Sequence, residues 1–362
     1  MTPIHSLCLA RLCVACIASW RIRPFVEELV FPVVAAILLP SVAHAISYTP
    51  VTNAQLQAVN SDGSNAWPVG VQPYPVSLIG VVINNPADML DYSNTAAAPQ
   101  WQVFMEALPG GTYGGQTVAA GDFGGTALYM MKTVPWDPTQ AYTDAAWTSE
   151  MTRLNYPLYN GTVATTPLQY GDVIMVQANA PGLFYDGKFN INTQHTVDPA
   201  NDFNITILQR GTTPAVASIT LSNLETAGNN SIFDQSRATG CEHYQGSLVH
   251  LNNLTLVDPA DWVVGGTVTV KQGSLTFPMQ LGLDSALSSI NPYALQSTPF
   301  GVTALVDQEC ANSPYTSGYS LWLTNASGLT TVPEPGSLAL LIWAAAGITF
   351  LIHRRRTQWQ MG

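Results

Sequence analysis

The spacing of apolar residues between positions 46 and 331 limits the fold more than any other feature of the chain. The segment has short runs rich in Val, Ile, Thr, Tyr and Leu, separated by Gly, Pro, Asn and Asp, and no long run at helical spacing. Short runs ended by turn-forming residues are typical of β-strands. We therefore predict an all-β fold with one short helix near 145–153 and a turn between strands at Tyr185-Asp186-Gly187-Lys188. The predicted strands are 76–83, 101–107, 126–132, 172–177, 203–208, 247–256, 266–271, 276–281, 302–306 and 319–323.

Two all-β architectures fit this pattern: a two-sheet β-sandwich and a pair of small barrels. A weak internal echo, PVSLIGVV at 75–82 and PFGVTALV at 299–306, favours two related modules. With GDVIMV at 171–176 and YQGSLVHL at 244–251, the segment resembles paired OB-like modules found beside secreted bacterial nuclease and phosphatase domains. The resemblance implies paired OB-like barrels, but of the two architectures we favour the two-sheet β-sandwich, with the aromatic residues in its core or turns.

The charge distribution argues against a nucleic-acid partner. Charged residues make up only 10% of the chain, against roughly 25% in an average soluble domain. Between 46 and 331 there are 20 acidic and six basic residues, a formal charge of −14. Nucleic-acid affinity depends on Lys and Arg neutralising phosphates, so this surface would repel a nucleic acid. It remains compatible with glycans or divalent cations.

The N-terminal 45 residues have the order of parts found in a secretory signal peptide. Arg21 and Arg23 precede the apolar run LVFPVVAAILL at 29–39, and Ala43 and Ala45 form a small-x-small cleavage site. We predict that cleavage follows Ala45. The alternative is an N-terminal membrane helix.

The C-terminal segment consists of three parts in a fixed order. Val332, Pro333, Glu334 and Pro335 come first, an apolar run at 338–352 follows, and the basic cluster of Arg354, Arg355 and Arg356 ends it. The two prolines exclude a helix at the triplet. The apolar run, slightly extended at both ends, predicts one transmembrane helix, with the arginines on the cytoplasmic side.

This segment resembles the PEP-CTERM sorting signal. The resemblance implies that an exosortase-type membrane enzyme recognises the Pro-Glu-Pro motif and that the tail is removed during export. It also implies a bacterium that makes extracellular polysaccharide, which would be a possible partner. The expected location is transient membrane anchorage, followed by the cell surface or the extracellular space. The alternative is an ordinary C-terminal anchor with a chance Pro-Glu-Pro.

Two of the five cysteines, Cys241 and Cys310, lie in the region expected to fold outside the cytoplasm. Cysteine pairs in exported domains usually form disulfides, so we predict a bond between them. The alternative is two buried free thiols.

The same region has no recognised catalytic motif. HExxH, GxSxG, the phosphate-binding loop and CxxC are absent between 46 and 331. His195, with Thr193 and Asp198 nearby, is the only candidate for an unrecognised hydrolase site. The Asn- and Asp-rich stretches at 84–91 and 198–202 lack a complete calcium pattern and are interpreted as turns. We predict no enzyme activity, no cofactor and no metal site.

These observations divide the chain into five parts. They are a signal peptide at 1–45, a first β module at 46–210, a linker at 211–242, a second β module at 243–331 and a sorting signal at 332–356.

The leading hypothesis for function is a non-catalytic surface or matrix protein. A glycan-binding module is the first alternative, with Trp101 or Trp322 as the stacking residue and Tyr129, Phe184 and Tyr185 as further aromatic candidates. A secreted hydrolase that uses His195 is the second.

Overall fold

The short strands expected from the sequence are present and form two main sheets. A computed structural model describes residues 46–67, 75–93, 98–133, 141–179, 182–192 and 202–331, which all belong to one compact unit. Strands account for 39% and helices for 16%, so the predicted β-rich class is confirmed. The leader, the sorting segment and His195 lie outside the described residues.

The first half of the chain contributes twelve of the described strands and two helices. The strands are β1 (Thr49–Pro50), β2 (Val76–Val82), β3 (Gln100–Glu106), β4 (Gly111–Tyr113), β5 (Gln116–Val118), β6 (Gly125–Met131), β7 (Leu158–Tyr159), β8 (Thr162–Val163), β9 (Val173–Ala178), β10 (Leu183–Tyr185), β11 (Lys188–Ile191) and β12 (Phe203–Gln209). The helices are α1 (Asn53–Leu56) and α2 (Asp144–Asn155).

Ten of these strands form the first sheet, in the order β10-β11-β6-β3-β2-β9-β12-β7-β8, with β1 also paired to β2. The central strands β6, β3, β2, β9 and β12 are antiparallel to one another. The flanking pairs β6–β11, β12–β7 and β1–β2 are parallel. The strands β4 and β5 form a separate hairpin.

Helix α2 covers one face of the first sheet and confirms the predicted helix. Thr143 caps its first turn by accepting a hydrogen bond from the backbone of Ala146. Trp147, Met151 and Leu154 are buried. Their spacing places them on one side of the helix, and all three belong to the core that fills this half.

The second half of the chain contributes the remaining described strands. They are β13 (Val216–Ile219), β14 (Leu248–Leu256), β15 (Thr267–Gln272), β16 (Leu275–Leu281), β17 (Phe300–Gln308), β18 (Tyr319–Leu323) and β19 (Leu329–Thr331). Its α-helices are α3 (Gly240–Tyr244) and α4 (Pro292–Ser297).

Five of these strands close into a barrel, so a barrel is present in this half. The pairing runs from β14 to β15, β16, β18 and β17 and returns to β14. Only β16 and β18 run parallel. Closure leaves these five strands with no exposed edge.

Strand β14 closes the barrel because it bends. Its first residues pair with β17, its last two pair with β15, and the register shifts between Leu251 and Leu254. Asn253 lies in this irregular segment with φ of 57°. Such a local irregularity allows one strand to serve two neighbours at a barrel corner.

The two halves share one connection pattern. In each half three antiparallel strands are followed by a helix and then by a strand that pairs with the first: β2, β3, β6, α2 and β9, and then β14, β15, β16, α4 and β17. In the first half the β4–β5 hairpin and the short strands β7 and β8 are inserted into this order. The fifth strand of the barrel has two counterparts in the first half, because β11 pairs with β6 and β12 pairs with β9. The sequence echo does not match this pattern. Residues 75–82 contain β2, the first strand of the pattern in its half, whereas residues 299–306 cover most of β17, the fourth strand in its half.

Residues 211–242, expected to be a linker, contain β13 and the beginning of α3. Leu221, Leu224 and Cys241 of this segment are buried in the barrel core. A separate apolar cluster joins the two halves, with Phe104 and Val173 on one side and Leu305 and Trp322 on the other.

Among the described residues, the model contains no helix with both the length and the apolar character needed to cross a bilayer. The apolar run at 338–352 lies outside those residues.

The backbones of the two halves come closest at Gly125 and Gly246. The amide of Gly125 donates a hydrogen bond of 2.9 Å to the carbonyl of Gln245. A Cβ atom on Gly246 would lie 2.4 Å from the carbonyl oxygen of Gly125, and the φ of Gly246 is +76°. A side chain at this position would therefore force the halves apart.

Gly246→Ala is expected to lower the free energy of unfolding by about 1–3 kcal/mol more than Gly273→Ala. Gly273 is the matched control because it also has a left-handed φ, of +63°, but has open space around it. Both variants share the strain of a left-handed alanine, so the difference between them measures the close contact. Denaturant unfolding of the two variants checks this, and equal losses would contradict it.

Candidate functional site

A cavity of about 190 Å³ lies where the first sheet meets the barrel. Its walls combine aromatic rings, side-chain amides and carboxyl groups with a few apolar side chains. The aromatic residues are Tyr129, Tyr185 and Trp322; the amides are Gln100, Gln102, Asn190 and Asn192; the acids are Asp186 and Glu309. This mixture is typical of a site that holds a polar ligand with some apolar surface.

The hairpin β10–β11 brings Tyr185 and Asp186 to the cavity. Tyr185 pairs with Lys188, and Asp186 and Gly187 form the two-residue turn between them. Both turn residues have positive φ, 51° and 94°, which is the requirement that Asp-Gly sequences satisfy in tight hairpins. The turn predicted from Tyr185-Asp186-Gly187-Lys188 is confirmed.

The hairpin is fastened to the barrel by its backbone. The amide of Cys310 donates a hydrogen bond of 2.8 Å to the carbonyl of Asp186. A Cβ atom on Gly187 would lie 2.4 Å from the Gln308 side chain, so only glycine permits this approach. Tyr185 remains 51% exposed at the cavity.

A buried ion pair lies below the cavity. The Lys188 ammonium donates to Asp307 Oδ1 at 2.8 Å, to Asp307 Oδ2 at 2.6 Å and to the Gln308 carbonyl at 3.0 Å. Both side chains are almost entirely removed from water. A buried charge is tolerated only when it is paired and hydrogen-bonded, and the three acceptors satisfy that requirement.

Asp307→Asn is expected to lower the free energy of unfolding by about 3–5 kcal/mol, because it leaves the Lys188 charge buried without a counter-charge. The control is Asp144→Asn, which removes the partner of Lys132 at a carboxylate that is 76% exposed. That change should cost about 0–1 kcal/mol. Thermal and denaturant unfolding measure both; similar small losses would show that Lys188 does not depend on the pair.

Two carboxyl groups remain beside this pair. Burial raises the pKa of Asp186, and Asp307 raises it further, against the opposing effect of Lys188. Burial also raises the pKa of Glu309, whose Oε2 accepts a hydrogen bond of 3.4 Å from Gln280. Glu309 lies on the solvent-exposed rim of the cavity. Both carboxyl groups therefore carry charge less readily than in water.

Two buried side chains of the cavity wall have an unused polar atom. The indole N–H of Trp322 and the side-chain oxygen of Asn190 have no hydrogen-bond partner among the described residues. Trp322 is 5% exposed and Asn190 is 4% exposed. Buried polar atoms are rarely left without a partner, and both residues belong to the wall of the cavity.

The aromatic residues proposed from the sequence lie in different parts of the structure. Trp322, Tyr129 and Tyr185 come together at the cavity. Trp322 is only 5% exposed, so the expectation of an exposed stacking ring is wrong for it. Trp101 is 0% exposed and donates its indole N–H to Asn155 at 2.9 Å, so its proposed role as an exposed stacking residue is wrong. Phe184 packs edge-on against Tyr315.

Sequence reasoning missed Asp186 and Glu309 as members of one site. The Asp-Gly turn indicated only the local position of Asp186. Nothing in the local sequence of either residue indicates that β11 and β17 meet.

The predicted disulfide between Cys241 and Cys310 is absent, and both thiols are free. Cys241 lies in α3 with its thiol directed at the Leu224 carbonyl, 3.2 Å away, inside the barrel core. Cys310 follows β17, and its thiol contacts the carbonyl of Asn312 at 3.3 Å. The two side chains therefore lie in different surroundings: Cys241 is in the barrel core and Cys310 is in a loop.

The Asn- and Asp-rich stretch at 84–91 is used for turns. Asp88 accepts hydrogen bonds from the backbone and side chain of Asn85 at 2.8 and 3.0 Å. Within the described ranges, no group of three or more His, Cys, Asp or Glu side chains is arranged to hold a metal ion. Residues 198–201 lie outside those ranges.

A second cavity of about 470 Å³ lies along another part of the same junction. It contains Glu106, which is buried and accepts a hydrogen bond of 3.0 Å from the amide of Leu248. Burial raises the pKa of Glu106 to about 8. Glu106 thus links the first sheet to the first barrel strand. The surrounding wall combines small residues with the larger side chains of Asp122, Phe123, His243 and Tyr244.

No family model matches the chain, and no curated protein matches it at a significant level.

Proposed function

We propose that this protein is an exported, non-catalytic surface or matrix protein that binds a glycan in the cavity between its two halves. The observation that carries the proposal is the meeting of Tyr185, Tyr129 and Trp322 with a wall of side-chain amides. The glycan would be an extracellular polysaccharide, bound through one sugar unit at a time.

The chemistry of a sugar ring fits these walls. One face of a pyranose carries C–H groups that pack on aromatic rings, and its edge carries hydroxyl groups that both donate and accept hydrogen bonds. Asn and Gln amides also donate and accept. The partly exposed Tyr185 would cover the ring face, while the amides would fix the hydroxyl groups.

The strand order supports a finer proposal for the fold. A five-stranded barrel with this crossing is the arrangement of OB-like modules, which commonly bind oligosaccharides or oligonucleotides. We propose that both halves are OB-like, with the fifth strand of the first half divided into β11 and β12. The acidic surface favours an oligosaccharide, because a nucleic acid would need a basic groove.

Tyr185→Ala is expected to weaken binding to the host's extracellular polysaccharide about fivefold, since loss of an aromatic stacking contact removes on the order of 1 kcal/mol. The matched control is Tyr293→Ala, because Tyr293 is 66% exposed on α4 and does not line the cavity. Sedimentation of the full chain, purified in detergent, with the insoluble polysaccharide gives the affinities.

Equal affinities for the two tyrosine variants would exclude the cavity as the binding site. Release of new reducing ends during the incubation would contradict the non-catalytic part of the proposal.

The proposal of export rests on the leader and the tail of the sequence. Signal peptidase would cut after Ala45, and an exosortase-type enzyme would recognise Pro333, Glu334 and Pro335 while the helix and Arg354 to Arg356 hold the chain in the membrane. The mature protein would then reach the cell surface or the extracellular matrix.

Replacing Glu334 with Ala is expected to leave the protein in the membrane fraction at its longer, unprocessed length. The wild-type chain should appear outside the cell as a shorter form. Immunoblots of fractionated cells, with Glu309→Ala as a control outside the motif, measure both. Recovery of the wild-type chain only in the cytoplasm at full length would overturn the proposal of export.

A further inference from the structure

The cavity contains more acidic groups than basic ones. Asp186, Asp307 and Glu309 lie in or directly beside it, and Lys188 is the only basic residue among the described residues that line it. The Lys188 ammonium is held by both oxygens of Asp307 and by the Gln308 carbonyl. Its charge is therefore neutralised within the protein, and Asp186 and Glu309 are left as surplus acids.

Other basic side chains do not offset these acids. Lys271 is exposed and does not line the cavity. In the described residues Arg153 pairs with Glu150, Arg210 with Asp172 and Lys132 with Asp144, and Arg237 lies beside Glu242. The positive charges of these residues are therefore neutralised by acids outside the cavity. A ligand in the cavity thus meets a negative potential that the rest of the domain does not cancel.

We propose that the glycan recognised here is a polymer of an amino sugar with free ammonium groups, and that Asp186 and Glu309 bind the ammonium. This inference rests on the proposed glycan function and names its substrate class. Hydrogen bonds between an ammonium and a carboxylate are roughly twice as strong as neutral ones. An acidic sugar would be repelled by the same two residues.

The neighbouring groups complete such a site. Tyr185 lies beside Asp186 in the hairpin, so one sugar ring reaches both an aromatic face and a carboxylate. The unused side-chain oxygen of Asn190 accepts from a hydroxyl or ammonium, and the unused indole N–H of Trp322 donates to a ring or hydroxyl oxygen. The pKa values of both acids are raised chiefly by their partial burial, while Lys188 opposes the rise and Asp307 adds to it.

The test compares three probes of equal length: oligomers of glucosamine, of N-acetylglucosamine and of galacturonic acid. Isothermal titration of the full chain in detergent is expected to show the glucosamine oligomer binding at least tenfold more tightly than the N-acetylated one, and no binding of the acidic one. This advantage should shrink as salt is added.

The variants Asp186→Asn and Glu309→Gln should each remove most of the preference for glucosamine, because they lower the affinity for the glucosamine oligomer far more than the affinity for the N-acetylated one. Glu309 is on the exposed rim, so its variant remains informative if Asp186→Asn fails to fold. Asp261→Asn, at an exposed acid outside the cavity, should preserve the preference.

The outcomes separate the inference from the function on which it rests. Equal affinity for glucosamine and N-acetylglucosamine oligomers, lost in Tyr185→Ala, would overturn the ammonium assignment and leave glycan binding in place. The absence of binding to all three oligomers would overturn both. Tighter binding of the galacturonic acid oligomer would contradict the negative charge assigned to the site and overturn the ammonium assignment.

Discussion

The ammonium group of Lys188 is surrounded by three acceptors that all come from the barrel strand β17, although Lys188 itself belongs to the first sheet. The buried charge could not remain without Asp307, and Asp307 would be equally unstable without the lysine. The pair therefore specifies which strand of one half meets which strand of the other. The remaining contacts of the hairpin, from the Asp186 carbonyl and from Gly187, follow from that alignment.

The rest of the junction extends the same arrangement. Phe104 and Val173 from the first sheet pack with Leu305 and Trp322 from the barrel, and the contact between Gly125 and Gly246 removes any space for side chains. The barrel closes on itself, whereas the first sheet follows an open path whose end, the hairpin β10–β11, rests on the barrel. The first half thus uses the second half to cover an edge that its own strands do not close.

The cavity is a consequence of this docking. Apolar residues fill the centre of the junction, while Tyr185, Asp186 and Glu309 lie where the two surfaces diverge. Although the chain has few charged residues, two surplus carboxyl groups lie together with amides and tyrosines at this one opening. The chemical character of the proposed ligand follows from the mismatch between three acids and one lysine that is already paired.

The sequence determined the local elements. Each of the ten predicted strands begins and ends within about two residues of an observed one. Helix α2 was predicted in the long segment between two predicted strands. The Asp-Gly turn was recognised because few residues tolerate a left-handed backbone. Tertiary structure alone decided that Trp101 is buried, that Cys241 and Cys310 do not pair, and that Asp186 joins Glu309. Strand periodicity and turn chemistry act over a few neighbouring residues, whereas Lys188 and Asp307 are separated by 119 positions. Their meeting depends on the order in which strands pair and on which faces pack, and no local pattern encodes either.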